Sequence, residues 1–169
     1  MTQLQPDIEQ VGRPHMPEGY GLKPAAAGQL LPWSWADERL SASRNYWICS
    51  TRPDGRPHAA PVWGVWLDNA LYFGTDPQSA KAKNLAANPA VTTHLESGDE
   101  VVIVEGQAET ISLAADLAAR LDEVYLAKYQ MKLSEAAESA TLVRISPRAV
   151  LAWLETDFPN TATRWRFAG

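Results

Sequence analysis

Between residues 45 and 110 apolar and polar positions alternate in short runs closed by turn residues, the period of half-buried strands. Tyr46–Thr51 reads as a first strand. Arg52-Pro53-Asp54-Gly55-Arg56 closes it, because proline presets φ and glycine accepts a positive φ. Pro57–Leu67 reads as a second strand; Pro61 within it removes a ladder donor, which suits an edge or a bulge. Asp68-Asn69 makes a tight hairpin turn into Ala70–Thr75. Val91–Glu96 and Glu100–Thr110 form a further hairpin across Ser97-Gly98-Asp99. Strands are expected again at Ala140–Ile145, Ala149–Leu154 and Thr161–Phe167.

The period changes in three places. A short helix is expected over Trp35–Ser43, capped by Ser34, with Asp37 and Glu38 in its first turn. Residues 79–88 read as helical and end at Asn88-Pro89. Ser112 is expected to cap an amphipathic helix whose Leu113, Leu117, Leu121, Val124 and Tyr125 recur at steps of three and four. Seven or eight strands joined by tight turns, with two or three helices, imply antiparallel pairing in a small barrel or sandwich with helices packed on it. Residues 1–31, rich in proline and glycine and without periodicity, are expected to form an extended or partly disordered tail. The folded domain is expected over 32–169.

Composition narrows the function. The chain has 169 residues, 46% of them hydrophobic, enough for one self-sufficient core. A net charge of −5 argues against nucleic-acid binding, which needs a basic excess. No apolar run approaches the roughly 18 residues of a membrane span, and no apolar leader segment is seen. The lone Cys49 excludes an internal disulfide and suits the cytoplasm; it reads as a small buried hydrophobe more readily than as a reactive thiol. His15, His58 and His94 lack the spacing of metal ligands. No glycine-rich dinucleotide fingerprint, phosphate-binding P-loop or Gly-x-Ser-x-Gly nucleophile motif occurs. Any reaction would therefore be carried by a cofactor.

Three segments carry candidate chemistry. In Phe73-Gly74-Thr75-Asp76-Pro77-Gln78-Ser79-Ala80-Lys81-Ala82-Lys83-Asn84-Leu85 a strand ends and a helix begins. Orphan N–H groups at such a terminus, two hydroxyls and a lysine suit a phosphate; a plain capped helix with solvated lysines fits the same pattern. Arg164 and Arg166 share one face of a terminal strand, with Trp165 and Phe167 on the other, which suits an anionic ligand or a partner's carboxylates; a solvated edge strand fits equally. Pro61-Val62-Trp63-Gly64 offers little side chain at its ends, so a flat ring can approach the backbone; a bulged barrel strand is the plainer reading. His58 and His94 read as structural.

Taken together, these stretches resemble the pyridoxamine-phosphate-oxidase-like split-barrel superfamily, and within it the flavin and deazaflavin oxidoreductases that use coenzyme F420. The resemblance rests on Trp47–His58, Ala60–Trp66, Leu71–Thr75, Ser79–Leu85, Asn88-Pro89, Val91–Gly106 and Thr161–Phe167, and covers about residues 32–169. It implies a six-stranded antiparallel split β-barrel that forms a homodimer with two cofactor sites at the interface. It implies that Thr75, Ser79 and Lys81 hold the cofactor phosphate, with Gly74 and Asn84 beside them. It implies too that Ala60, Pro61, Val62 and Trp63 line the ring, and that Arg164 and Arg166 reach the cofactor. The expected reaction is hydride transfer from reduced F420 to an unsaturated small molecule, with no catalytic side chain assigned. FMN-dependent oxidoreduction and non-catalytic flavin or haem binding are the alternatives. Ala59 and Gly64 stand where pyridoxamine phosphate oxidases carry an arginine and a lysine, and Ala162 and Arg164 replace their Arg-x-His, so vitamin-B6 oxidation is not expected. Ala80 replaces the arginine that follows the serine, which weakens the FMN reading. An F420 site would draw Arg52, Arg56, Lys81, Lys83, Arg164 and Arg166 towards one groove.

Overall fold

The computed structural model describes residues 6–25, 30–137 and 139–168. Its strands are β1 Ile8–Gly12, β2 Asn45–Thr51, β3 Pro57–Trp63, β4 Val65–Leu67, β5 Ala70–Thr75, β6 Ala90–His94, β7 Glu100–Thr110, β8 Thr141–Leu154 and β9 Thr163–Phe167. Its α-helices are α1 Trp33–Ala42, α2 Ala80–Ala87, α3 Ala115–Tyr129, α4 Leu133–Ala137 and the single turn α5 Phe158–Thr161. The long β8 is the spine. One edge pairs with β7; the other is shared by β5 against Thr141–Ile145 and β9 against Ala149–Ala152. From β7 the order continues through β6 and β2 to β3, all antiparallel.

The expected strand over Pro57–Leu67 is broken at Gly64. β3 stays on β2, whereas β4 turns away to β5. Counted as one, β3–β4 joins β2, β5, β6, β7 and β8 in six strands around a core, and the hydrogen-bonded path remains open at the break. This is the open antiparallel split barrel that the resemblance implies. Gly64 is required there: an added Cβ would lie 3.0 Å from both Leu71 Cδ1 and the Tyr72 carbonyl oxygen. Tyr129 fills the break with its hydroxyl. The Gly64 N–H donates to it at 2.9 Å, and it donates in turn to the Arg44 or the Gly64 carbonyl.

Two apolar cores flank the sheet. The barrel interior holds Tyr46, Ile48, Trp66, Phe73, Val104, Ile145 and Trp165. The outer face of β4–β5 packs Val65, Leu67 and Tyr72 against Leu121, Tyr125, Tyr129 and Leu133, which is why the stripe in α3 recurs at three and four.

Several boundaries differ from the sequence reading. Folded structure begins at Ile8 rather than Pro32, because β1 pairs with the outer edge of β9; residues 1–5 and 26–29 of the expected tail lie outside the described residues. α1 starts at Trp33 with Pro32 at its cap and no side-chain cap. Trp33 packs edge-on against Trp165 at 5.5 Å and Phe167 at 5.2 Å, which draws the first turn forward of Ser34. Asp37 accepts from the Trp66 indole at 2.8 Å instead of serving the helix start. Ser112 caps nothing; Ile111 still bonds to Leu142, so α3 begins later, at Ala115. β8 runs through Pro147, because Glu105 and Gly106 of β7 pair with Ala149 and Pro147 and the extra residue, Arg148, makes a bulge in β8 beside the proline. Thr161 ends α5 and does not belong to the last strand.

Candidate cofactor site

The break at Gly64 leaves β3 beside β5 without a ladder between them. The C-terminal end of β5 and the N-terminus of α2 meet at this opening. Ser79 caps α2, its Oγ accepting from the Ala82 N–H at 3.2 Å. Thr75 Oγ1 lies 3.0 Å from Ser79 Oγ, and Lys81 Nζ donates to Thr75 Oγ1 at 3.2 Å. Two hydroxyls and an ammonium thus converge on the positive end of a helix dipole, the donor set that a phosphate needs. One turn further, Asn84 donates to Ser50 Oγ at 3.1 Å, with both side chains buried. This bond ties α2 to β2 and fixes the helix over the opening.

His58 sits directly across from Ser50 in the β2–β3 register, so both side chains share a face. Its Nδ1 is closed off from solvent and has no partner. Ser50 and His58 were not selected from sequence as site residues. A polar residue at an inward position of an otherwise apolar strand was the available signal. His94, in contrast, has partners: Nδ1 lies 2.8 Å from the Leu95 carbonyl oxygen and the ring stacks on Trp47.

The remaining site residues divide. Alternation along β3 sends Ala60 and Val62 to the His58 face and Pro61 and Trp63 to the other, so no single ligand meets all four side chains on one face. Val62 is buried in the barrel interior. Trp63 is 45% exposed and stacks on Tyr129 at 4.9 Å, with the Arg44 guanidinium 5.5 Å above its ring. Gly74 faces Ala140 and Leu133, where a Cβ would find ordinary contact distance, so it packs against α4 and not towards Thr75.

Arg164 and Arg166 do not join the α2 cluster in the same chain. Thr75 pairs with Thr141 at one end of β8 and Arg166 with Ala149 further along, on the order of 25 Å away along the strand. The six expected cations are likewise dispersed: Arg56 pairs with Asp54 at 2.8 Å, and Arg164 lies 4.0 Å from Glu105. Cys49 lines a separate outer groove of about 440 Å³ with Thr92, Glu105 and Arg148. Burial pushes its thiol pKa up, away from the reactive thiolate. Among the described residues no cluster of His, Cys, Asp or Glu is built to hold a metal, and no helix is long and apolar enough to cross a membrane.

The model of the pyridoxamine 5'-phosphate oxidase family matches residues 36–154, most of the barrel. The chain belongs to that family. Its members form a superfamily of flavin-binding oxidoreductases sharing this open barrel. No curated protein matches the chain. Among solved structures, it is similar to the conserved hypothetical protein Rv2991 of Mycobacterium tuberculosis (23% identity, 78% of this chain and 90% of that one, TM-score 0.66). It is also similar to an F420 reductase (20% identity, 68% and 94%, TM-score 0.53). A FAD-binding protein of Mesorhizobium loti matches at 22% identity over 80% and 95%, with a TM-score of 0.56. At these identities the three share a fold with this family member.

Proposed function

We propose that this family member is a homodimeric oxidoreductase that binds the deazaflavin F420 and reduces an unsaturated small molecule. The observation that carries the reading is the Thr75–Ser79–Lys81 cluster at the barrel opening. Those residues would hold the cofactor's phosphate, with Asn84 keeping α2 in place and the β3 segment Ala60–Trp63 along the ring. Bound F420 supplies the hydride. The protein's own part is to bind, orient and exclude water. Ala80, in place of an arginine, favours F420 over FMN.

The distance between the two halves of the site supports a second copy, whose Arg164 and Arg166 would come to this chain's opening. The register also aligns Trp47, Ile103 and Leu151 across the outer face of β2, β6, β7 and β8, with Val101 and Trp153 beside them, all half-buried in one chain. Such a stripe suits a covering subunit.

The test is quenching of tryptophan fluorescence by F420 and by FMN. Saturable micromolar quenching by F420 with weak FMN binding is expected. Lys81→Ala removes a charge-assisted contact of about 1.5–3 kcal/mol, so F420 affinity should fall roughly ten- to a hundredfold with the melting temperature unchanged. Unchanged affinity at low salt refutes the phosphate assignment, and tight binding of FMN alone refutes the choice of F420.

A further inference from the structure

At the mouth of the barrel a buried hydroxyl and an imidazole face each other with their hydrogen bonds unfinished. Ser50 Oγ accepts from Asn84 Nδ2 at 3.1 Å; among the described residues that is its one hydrogen bond, so its own hydrogen has no acceptor. His58 stands directly opposite in the β2–β3 register and is half-buried. Its Nδ1 is shut off from water without a partner, whereas Nε2, also without a protein partner, is not shut off. We propose that His58 is a ligand-binding residue of this opening: Ser50 holds Nδ1, and the Nε2 hydrogen is donated to the hydroxylated chain of a phosphate ester whose phosphate lies at Thr75, Ser79 and Lys81. The place of the phosphate rests on the cofactor reading of that cluster; the donor does not.

Hydrogen counting sets the tautomer. Cβ atoms of directly opposed residues lie about 4.5–5.5 Å apart, so a side-chain rotation brings the Ser50 hydroxyl to Nδ1. A neutral imidazole has one acceptor nitrogen and one donor nitrogen. With Nδ1 accepting, the hydrogen stands on Nε2, the nitrogen open to solvent. Asn84, Ser50 and His58 then form one chain of donors in which each bond polarises the next. The inward neighbours Ile48 and Val62 are apolar core, so this polar set belongs to the mouth alone.

Topology brings the donor to the phosphate cluster. β4 continues β3 past Gly64 and runs antiparallel to β5, with Val65 opposite Tyr72. Residues before Gly64 therefore stand beside residues after Tyr72, which puts His58 on the side of Thr75 and Ser79. α2 crosses the mouth from there, and Asn84 lies five residues past the Ser79 cap, about 7.5 Å along the helix. A bare phosphate at Ser79 does not span that distance. A phosphate ester with a short polyol chain does, and its hydroxyl oxygens are the acceptors that an imidazole N–H needs. Such a chain joins phosphate to ring in a flavin-type cofactor.

Ribitol 5-phosphate, which carries this chain and no ring, tests the assignment against inorganic phosphate, each titrated into the nitrogen-15-labelled full chain at low salt. Ribitol phosphate should bind about fivefold tighter, the yield of one neutral hydrogen bond, and move the His58 Nε2 resonance while His94 stays unmoved. His58→Phe, which keeps a flat ring without a donor, should erase that advantage and leave the phosphate affinity as it was. His58→Gln, which returns an N–H, should restore most of it. Ser50→Ala should shift the Nδ1 resonance of the ligand-free chain, and Lys81→Ala should weaken both probes. Equal affinity for the two probes in wild type, an advantage that survives His58→Phe, or a His58 hydrogen found on Nδ1 overturns the proposal. The same loss in His58→Phe and His58→Gln assigns the residue to packing and overturns it too. Silence of F420 and FMN in the fluorescence titration, with ribitol phosphate still bound through His58, refutes the oxidoreductase reading and leaves this one standing. F420 bound equally by wild type and His58→Phe does the reverse.

Discussion

Tyr129→Phe removes one oxygen and keeps the ring, so it isolates the hydroxyl that bridges the broken strand. Gly64 is buried, and its N–H has the Tyr129 hydroxyl as acceptor at 2.9 Å. Losing that acceptor leaves a buried donor unsatisfied at about 1–3 kcal/mol, and the carbonyl that the hydroxyl served loses its donor as well. A total of about 2–3 kcal/mol follows. For a chain of this size each kcal/mol moves the melting temperature by about 2–4 °C, which gives a fall of about 4–12 °C. Trp63 should keep its stack, because only the ring is involved. The assay is thermal and urea unfolding followed by circular dichroism, with hydrogen exchange of the Gly64 amide. A melting temperature within about 1 °C of wild type, with the amide equally protected, refutes the view that Tyr129 replaces the missing ladder.

Two further outcomes are expected. Gly106→Ala forces a Cβ against the Ser146 carbonyl oxygen opposite the β8 bulge, where backbone must move; overpacking of this kind costs about 1–3 kcal/mol, read as a lower urea midpoint. Burial holds the Lys128 ammonium down to about 8 from its ordinary 10.5. The unfolded chain therefore binds that proton more tightly, and Lys128 adds stability as pH rises through this interval. The stability of wild type relative to Lys128→Met should rise between pH 8 and 10 and hold level below pH 7; a difference flat across the whole range contradicts the burial argument.

Much of the architecture was legible because its signals are local. Strand alternation, the Asp68-Asn69 turn, with both residues at positive φ, and the Ser79 cap need only neighbouring residues. The phosphate-type cluster was legible for the same reason: Thr75, Ser79 and Lys81 fall within one strand-to-helix turn. What escaped depends on contacts distant in sequence. Ser34 and Ser112 look like caps, yet packing of Trp33 and pairing of Ile111 with Leu142 decide where those helices begin. Residues 146–148 separate two expected strands, yet a bulge at Arg148, set by pairing with Glu105 and Gly106 far back in the chain, lets β8 run through Pro147. The split at Gly64 needs Tyr129, which is far along the chain. Pairing of Ser50 with His58 needs strand register, which alternation alone does not set.

The same logic accounts for cations gathering outside the family's matched core. β5 covers only the first part of one edge of β8, so the part beyond Ala149 needs another strand, and β9 supplies it while Trp165 closes the interior. β9 then presents an edge of its own, which invites pairing by another chain unless it is covered. β1 covers it, and the residues just beyond β1 must pass beside the outward face of β9, where Arg164 and Arg166 stand. Arg13 satisfies the carbonyls of Asn160 and Ala162 at that crossing, anchoring the segment. Covering an edge therefore brings three guanidiniums together on an acidic protein. Gly12 leaves space among them where any larger side chain would have filled it.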